Sequence, residues 1–297
     1  MVRRLPSILV CLLVVAGAFW FITKDTVATD PTGPADTCGG VPEFVHRYKF
    51  TRATFDTSRR DQPGLVLADG ADTNKTPVQE DSWKQFGNLG PIARGKDGAV
   101  YTVAVPFINT HSVVSEAHLA ILRVDPKNGT LEKWVEIQGP KPSPDNYYGL
   151  TALTYDCANN LLYVAGIAGS SKNKESGFIA VIDPASRKER FRYGGTDALG
   201  LGIFGSGRGR HLYVGLARTS EVVRIKLSDA GKPFGEPEAV VHFDDFNQTR
   251  ANKIGFTWEK LHIQTTEFYY NLIASTEFNH QTFSYTYDPD TGTFKAD

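Results

Sequence analysis

The chain has one methionine and three cysteines in 297 residues, and neither sign of charge is in excess: 32 Lys and Arg face 33 Asp and Glu. That balance excludes the basic footprint of a general nucleic-acid binder. Helical periodicity is also lacking. After Val41 no segment keeps an i, i+3, i+4 apolar pattern beyond two turns, which excludes a helical bundle. The seven histidines form no His-x-x-x-His pair and no Cys/His cluster, so no strong zinc motif is present. His111 and His118 flank a loop insertion, where solvent-exposed side chains are expected. "FGSGRG" is not the G-x-S-x-G of a nucleophile elbow, because Ser206 directly follows Gly205. Trp83, Trp134 and Trp258 share no position in any repeat and suggest no regular ring for sugar stacking.

What is present leans toward β structure. Aromatics make up 11% of the chain and glycine 28 residues, a composition of pleated strands joined by tight turns. Arg3 and Arg4 precede an apolar run from Ile8 to Ile22, after which the chain turns polar. This is the layout of an export signal. Counted from Leu5 the run is eighteen residues, at the edge of a membrane span. Residues 1–22 are therefore either a cleaved signal or a single signal-anchor, and both place the body outside the cytoplasm, whether secreted, periplasmic or anchored. Residues 23–40, rich in Pro, Thr, Asp and Gly, read as a flexible linker, and 41–297 as the folded domain.

Without the leader two cysteines remain, Cys38 and Cys157. An even pair in an exported chain is a disulfide candidate, against the alternative of two unrelated buried thiols. Asn74, Asn128 and Asn247 open N-x-Thr sequons, of use only in a host that glycosylates.

The body repeats. "GPIARGKDGAVYTVAV", "GLTALTYDCANNLLYVAGI" and "GLGIFGSGRGRHLYVGLA" each read as strand, turn, strand. Tyr101, Tyr163 and Tyr213 stand at one place in these copies, and a fourth, "NKIGFTWEKLHIQTTEF", has His262 there. Each unit continues into a second hairpin, such as "GFIAVIDPASRKERFRY" or "TFSYTYDPDTGTFKAD", whose Asp-Pro turns suit tight reversals. Four antiparallel strands repeating about every 50 residues predict an all-β fold, the β-propeller. "FVHRYKF" and "GLVLADG" before the first full copy supply either one more blade or closing strands, so five blades are expected and six is the alternative. Gly200, Gly202 and Gly205 spell G-x-G-x-x-G, but a strand follows where a dinucleotide site needs a helix. Gly200 and Gly202 share one face of the strand and predict close approach of a neighbour. Arg208 and Arg210, between glycines, read as an exposed turn tip.

"GPIARGKDGAVYTVAV" and "HLYVGLARTSEVVRIKLSDAGKPFGEPEAVVHF" resemble the blades of NHL and SMP-30/gluconolactonase-like propellers over residues 88 to 297. The resemblance implies architecture first, because many functions use this scaffold. Its enzyme members hold a divalent cation, usually calcium, at the channel mouth through an acid, an Asn and an Asp. The Asn of those enzymes precedes an inner strand in a P-N-G, and the matching place here reads "TDALGLGIF", with Asp197. Asn88, Asn146 and Asn252 also stand just before inner strands. Together these four could ring one channel end with oxygen ligands for a cation or polar ligand, although Asn and Asp are also ordinary turn residues.

Two functions compete. One is a non-catalytic binding or scaffold module at the cell surface or envelope, a monomer whose partner is a protein, a glycan or a small molecule. The other is a divalent-metal-dependent lactonase or esterase at the channel mouth. The export signal, the repeats and the absence of a recognisable catalytic set favour binding.

Overall fold

In a computed structural model, residues 32–59, 61–106, 116–243, 249–271 and 280–297 are described. The segments 1–22 and Asn247 lie outside them, as does His111. The chain opens with β1 (Gly33–Pro34), β2 (Ala53–Asp56) and β3 (Val66–Asp69), the last two forming a two-stranded sheet. Four antiparallel sheets follow, three of four strands and one of five that takes in β1. Blade 1 comprises β4 (Ala93–Arg94), β5 (Val100–Val103), β6 (Ala120–Val124) and β7 (Leu131–Glu136). Blade 2 comprises β8 (Leu150–Asp156), β9 (Leu161–Gly166), β10 (Phe178–Asp183) and β11 (Lys188–Gly194). Blade 3 comprises β12 (Ala198–Ser206), β13 (Gly209–Leu216), β14 (Glu221–Leu227) and β15 (Pro233–His242). Blade 4 comprises β16 (Thr249–Thr257), β17 (Lys260–Glu267), β18 (Thr282–Asp288) and β19 (Thr293–Ala296). Each blade is a meander of neighbouring strands, the arrangement of a β-propeller.

Period-2 alternation gives the blades apolar faces, and four layers of these are buried between neighbouring sheets. One core lies between β2–β3 and blade 1, around Trp83, Leu67 and Val100. Tyr101, Trp134 and Tyr155 fill the layer between blades 1 and 2. Tyr163, Ile179 and Ile203 fill the next. Phe204, Tyr213, Phe256 and Phe294 fill the layer between blades 3 and 4, with ring centroids 5.0 to 6.4 Å apart. Gly200 and Gly202 lie where the backbones of blades 3 and 4 come close. A Cβ on Gly200 would stand 3.1 Å from the Ala251 carbonyl oxygen, and one on Gly202 2.9 Å from Ile254 Cγ2.

The blade count differs from the expected five. Among the described residues, 41 to 89 supply two strands, β2 and β3, and isolated bridges from Leu67 to Val78 and from Leu89 to Ala104, so the fifth position holds a fragment instead of a blade. His262 marks the consequence. Tyr101, Tyr163 and Tyr213 each pack toward the following blade. His262 points from blade 4 in the same sense, and there it stays half-buried beside Ser284, 3.1 Å away. Its face of the sheet also carries Lys253, Lys260, Gln264 and Thr286, a solvated pattern.

The segment read as a linker is structured over its described part. β1 pairs with β12 (Gly33 with Gly205, Pro34 with Phe204). Ala35 N–H donates to Ile203 O, and Cys157 N–H donates to Ala35 O, both at 3.0 Å. Cys38 and Cys157 form a disulfide, with Cα atoms 5.5 Å apart. Gly40 then packs on the β4–β5 turn at Gly98. Residues 33 to 40 thus cross one end of the channel as a strap from blade 3 through blade 2 to blade 1. A polar, Gly- and Pro-containing sequence can do this because its backbone groups are satisfied by the inner strands.

Two side chains depart from their expected surface settings. Arg210 is buried within β13, and its Nη1 donates to Asp156 Oδ2 at 2.6 Å across the blade 2–3 boundary. His118 is buried in a 3₁₀ turn, Glu116–Leu119, with Nδ1 3.1 Å from the Tyr147 carbonyl oxygen. Asn74 and Asn128 are exposed.

Candidate binding site

The innermost strands of the blades and the strap enclose a cavity of about 950 Å³. Its walls are β2, the start of blade 1, the middle of β8, Leu201 of β12 and residues 252 to 256 of β16. It therefore occupies the channel on the side where the fifth position holds only a fragment. A full blade there would bury the facing surfaces of β2 and β16, and its lack leaves them to line a cleft.

Asn252 owes its place in this wall to a β-bulge. The β16–β17 register shifts between Ala251 and Lys253, which leaves Asn252 as the extra residue. Bulges re-aim a side chain that regular pairing would hold in the pleat. Asn252 Oδ1 is buried without a hydrogen-bond partner among the described residues. An unsatisfied buried acceptor costs about 1–3 kcal/mol, and a ligand's donor would relieve it.

The electrostatics are mixed with cations in excess. Lys49, Arg52, Arg94 and Lys253 line the cavity, against Asp36 and Asp56. Asp56 is held by its own loop, accepting from Ser58 Oγ at 2.6 Å and Arg59 Nε at 3.3 Å. Arg52 donates to the Gly70 carbonyl. The side chains of Lys49, Arg94 and Lys253 have no hydrogen-bond or ion-pair partner among the described residues. Asp36 accepts from Ile203 N–H at 3.2 Å and Thr154 Oγ1 at 3.3 Å. Burial outweighs these bonds and pushes its carboxyl up to about 6, so it changes charge in mildly acidic solution.

Of the four residues expected at the channel mouth, only Asn252 lines this cavity. Asn146 and Asp197 meet instead through Ser170, in a buried network between blades 2 and 3. Asn146 Nδ2 donates to the carbonyls of Ile167 (2.7 Å) and Ser170 (3.0 Å), and its Oδ1 accepts from Tyr148 N–H. Asp197 Oδ1 accepts from Ser170 Oγ (2.5 Å) and Gly177 N–H (2.8 Å). Its Oδ2 accepts from Tyr270 OH (2.5 Å) and Arg218 Nη1 (3.2 Å). Burial and this carboxylate push the Tyr270 phenol up. Asn88 is half-buried ahead of blade 1, and its carbonyl accepts from Val105 N–H. Among the described residues no group of three or more His, Cys, Asp or Glu is placed to hold a metal ion.

Sequence reasoning missed Asp36, Arg94 and Lys253. Asp36 lay in a segment of linker composition. Arg94 and Lys253 are single cations in strands, and no local motif marks them.

No family model matches the chain. A comparison with curated proteins likewise gives no match. Among solved structures the chain is similar to the N-terminal domain of Nup159, with a TM-score of 0.41 and 10% identity. The match covers 90% of this chain and 66% of that one. The four blades bear out a β-propeller, and no family match supports the resemblance to NHL and SMP-30 propellers.

Proposed function

We propose that this protein is a binding module on the outer side of a membrane, taking a polar ligand with an anionic group into the cleft between β2 and β16. The observation that carries the reading is that, among the described residues, Asn252 Oδ1 in the cavity wall has no hydrogen-bond partner and Arg94 and Lys253, lining the same space, have no side-chain partner. A hydroxyl or amide donor of the ligand satisfies Asn252, while a carboxylate or similar group meets the cations. Such groups coexist in acidic glycans and in peptides. The Cys38–Cys157 bridge is compatible with an oxidising compartment, as the N-terminal export pattern implies.

Binding is favoured over metal-dependent hydrolysis by the state of Asp197. Its carboxylate oxygens already serve Ser170, Gly177, Tyr270 and Arg218. A cation there would have to displace Arg218. The test is an array of acidic oligosaccharides and peptides, followed by calorimetry on any hit. Arg94→Ala is expected to weaken binding roughly 10- to 100-fold while leaving the melting temperature within a degree or two. A hit that binds Arg94→Ala and Asn252→Ala as tightly as the unaltered protein sinks this site. A stoichiometric divalent ion in the purified protein, with lactonase activity lost on chelation, would restore the hydrolase reading.

A further inference from the structure

The turns of the propeller place its exposed apolar side chains at one end. β12, the innermost strand of blade 3, runs toward the β12–β13 turn, and the β14–β15 turn closes at the same end. Contacts tie these turns to their counterparts on the neighbouring blades. Arg210, just after the β12–β13 turn, bonds Asp156 beside the β8–β9 turn and the Asp229 carbonyl in the β14–β15 turn. Arg208 bonds the Asp290 carbonyl in the β18–β19 turn.

Three large hydrophobic residues are exposed among the described residues, and all three belong to this end. Trp258 is 83% exposed at the tip of the β16–β17 turn, Val41 is 52% exposed where the strap meets the β4–β5 turn, and Phe234 is 46% exposed just after the β14–β15 turn. Trp258 also has φ of 55°, a left-handed backbone that a bulky residue rarely adopts. The fold thus holds a tryptophan in an unfavourable conformation and leaves its ring in water.

The chain enters the body at the same end. β1 is antiparallel to β12, with Gly33 beside Gly205, so the start of β1 lies beside the β12–β13 turn. The apolar run ends at Ile22. The ten residues from Thr23 to Thr32 reach at most about 35 Å when fully extended.

We infer that this end of the propeller rests on the lipid bilayer that holds the apolar N-terminal run, with Trp258 seated at the headgroup level and Val41 and Phe234 beside it. The inference rests on the membrane-side reading above and on retention of residues 5–22. Tryptophan is suited to the interface because one edge of its ring is polar and the rest apolar. The short tether favours a membrane over a soluble protein partner, because it keeps this end near the bilayer.

The experiment uses the full chain carrying Trp20→Phe, reconstituted in phosphatidylcholine–phosphatidylglycerol vesicles with and without brominated lipid. Subtracting the emission of the same chain with Trp258→Phe isolates Trp258, since Trp83 and Trp134 are buried and report that both chains are folded. The expected result is a blue-shifted Trp258 signal quenched roughly two-fold by brominated lipid and shielded from iodide. A chain that floats with the vesicles while Trp258 stays fully open to iodide overturns the orientation and leaves the anchor standing. A folded chain that does not float overturns both.

Discussion

The boundary between blades 2 and 3 and the outer face of blade 4 start from the same repeat and end differently. At the boundary, Tyr163 is fully buried and its hydroxyl donates to the Gly231 carbonyl, while Arg210 and Asp156 are paired beneath it. On blade 4 the matching place holds His262, half-buried among Lys253, Gln264 and Ser284. A blade face is apolar where a neighbour packs on it, as β2–β3 does on blade 1, and polar on blade 4, where the fragment leaves it uncovered. The cleft comes from that gap. The candidate binding groups therefore sit where packing is incomplete, and the packed boundary between blades 2 and 3 spends its polar groups on one another.

The largest expected effect breaks the packed side of this comparison. Tyr163→Ala should lower stability in urea unfolding by about 3–5 kcal/mol, because it empties a closed layer and frees a buried carbonyl. His262→Ala should change stability by no more than about 0.5 kcal/mol. Equal losses at the two positions would mean that His262 faces a covered surface. The next effect concerns the strap. Cys38→Ser with Cys157→Ser should cost about 2–4 kcal/mol, since the bridge closes a loop between residues 119 apart. A loss near zero would show that β1 and the Ala35 bonds hold the strap without it.

The smallest effect sharpens the cleft side. Asp36 is raised to about 6 from an ordinary carboxylate value. The folded protein therefore holds this proton more tightly than the unfolded chain, and Asp36's contribution is greatest below about pH 4 and lost as pH rises through about 6. Asp36→Asn should accordingly be more stable than the unaltered protein at pH 7.5, by about 1–3 kcal/mol, and lose that advantage near pH 4. Thermal melts across that range check it, and an advantage that grows on acidification would reverse the sign. Binding of an anionic ligand should also weaken above pH 6, where ionised Asp36 repels it.

The repeat was readable because each blade writes its own alternation and its own turns into about fifty contiguous residues. The close approach at Gly200 and Gly202 was readable for a similar reason, as two side-chain-free positions on one face signal a near neighbour. His262 carried the blade count in plain view as the copy that lacks the tyrosine, but its meaning depends on knowing what lies opposite. The site was harder. Asn252 stood out as one of four oxygen-bearing residues, yet the bulge that turns it into the cavity is a property of the β16–β17 pairing. Asp197 and Asn146 looked alike in sequence and proved to be partners within a network closed by Arg218 and Tyr270.

The sequence by itself determined the class of fold, the four-stranded unit, the cysteine pair and the strand that follows Gly205, because these depend on local alternation, turn chemistry and residue counts. Tertiary structure alone decided that four blades and a fragment make the ring, that residues 33 to 40 form a strap, and that Arg94, Asn252, Lys253 and Asp36 share one cavity. Those outcomes depend on contacts between residues up to some two hundred positions apart, such as Asp36 with Ile203 and the cleft between β2 and β16. Burial and charge at such places are set by what packs opposite, and no short stretch of chain encodes its opposite face.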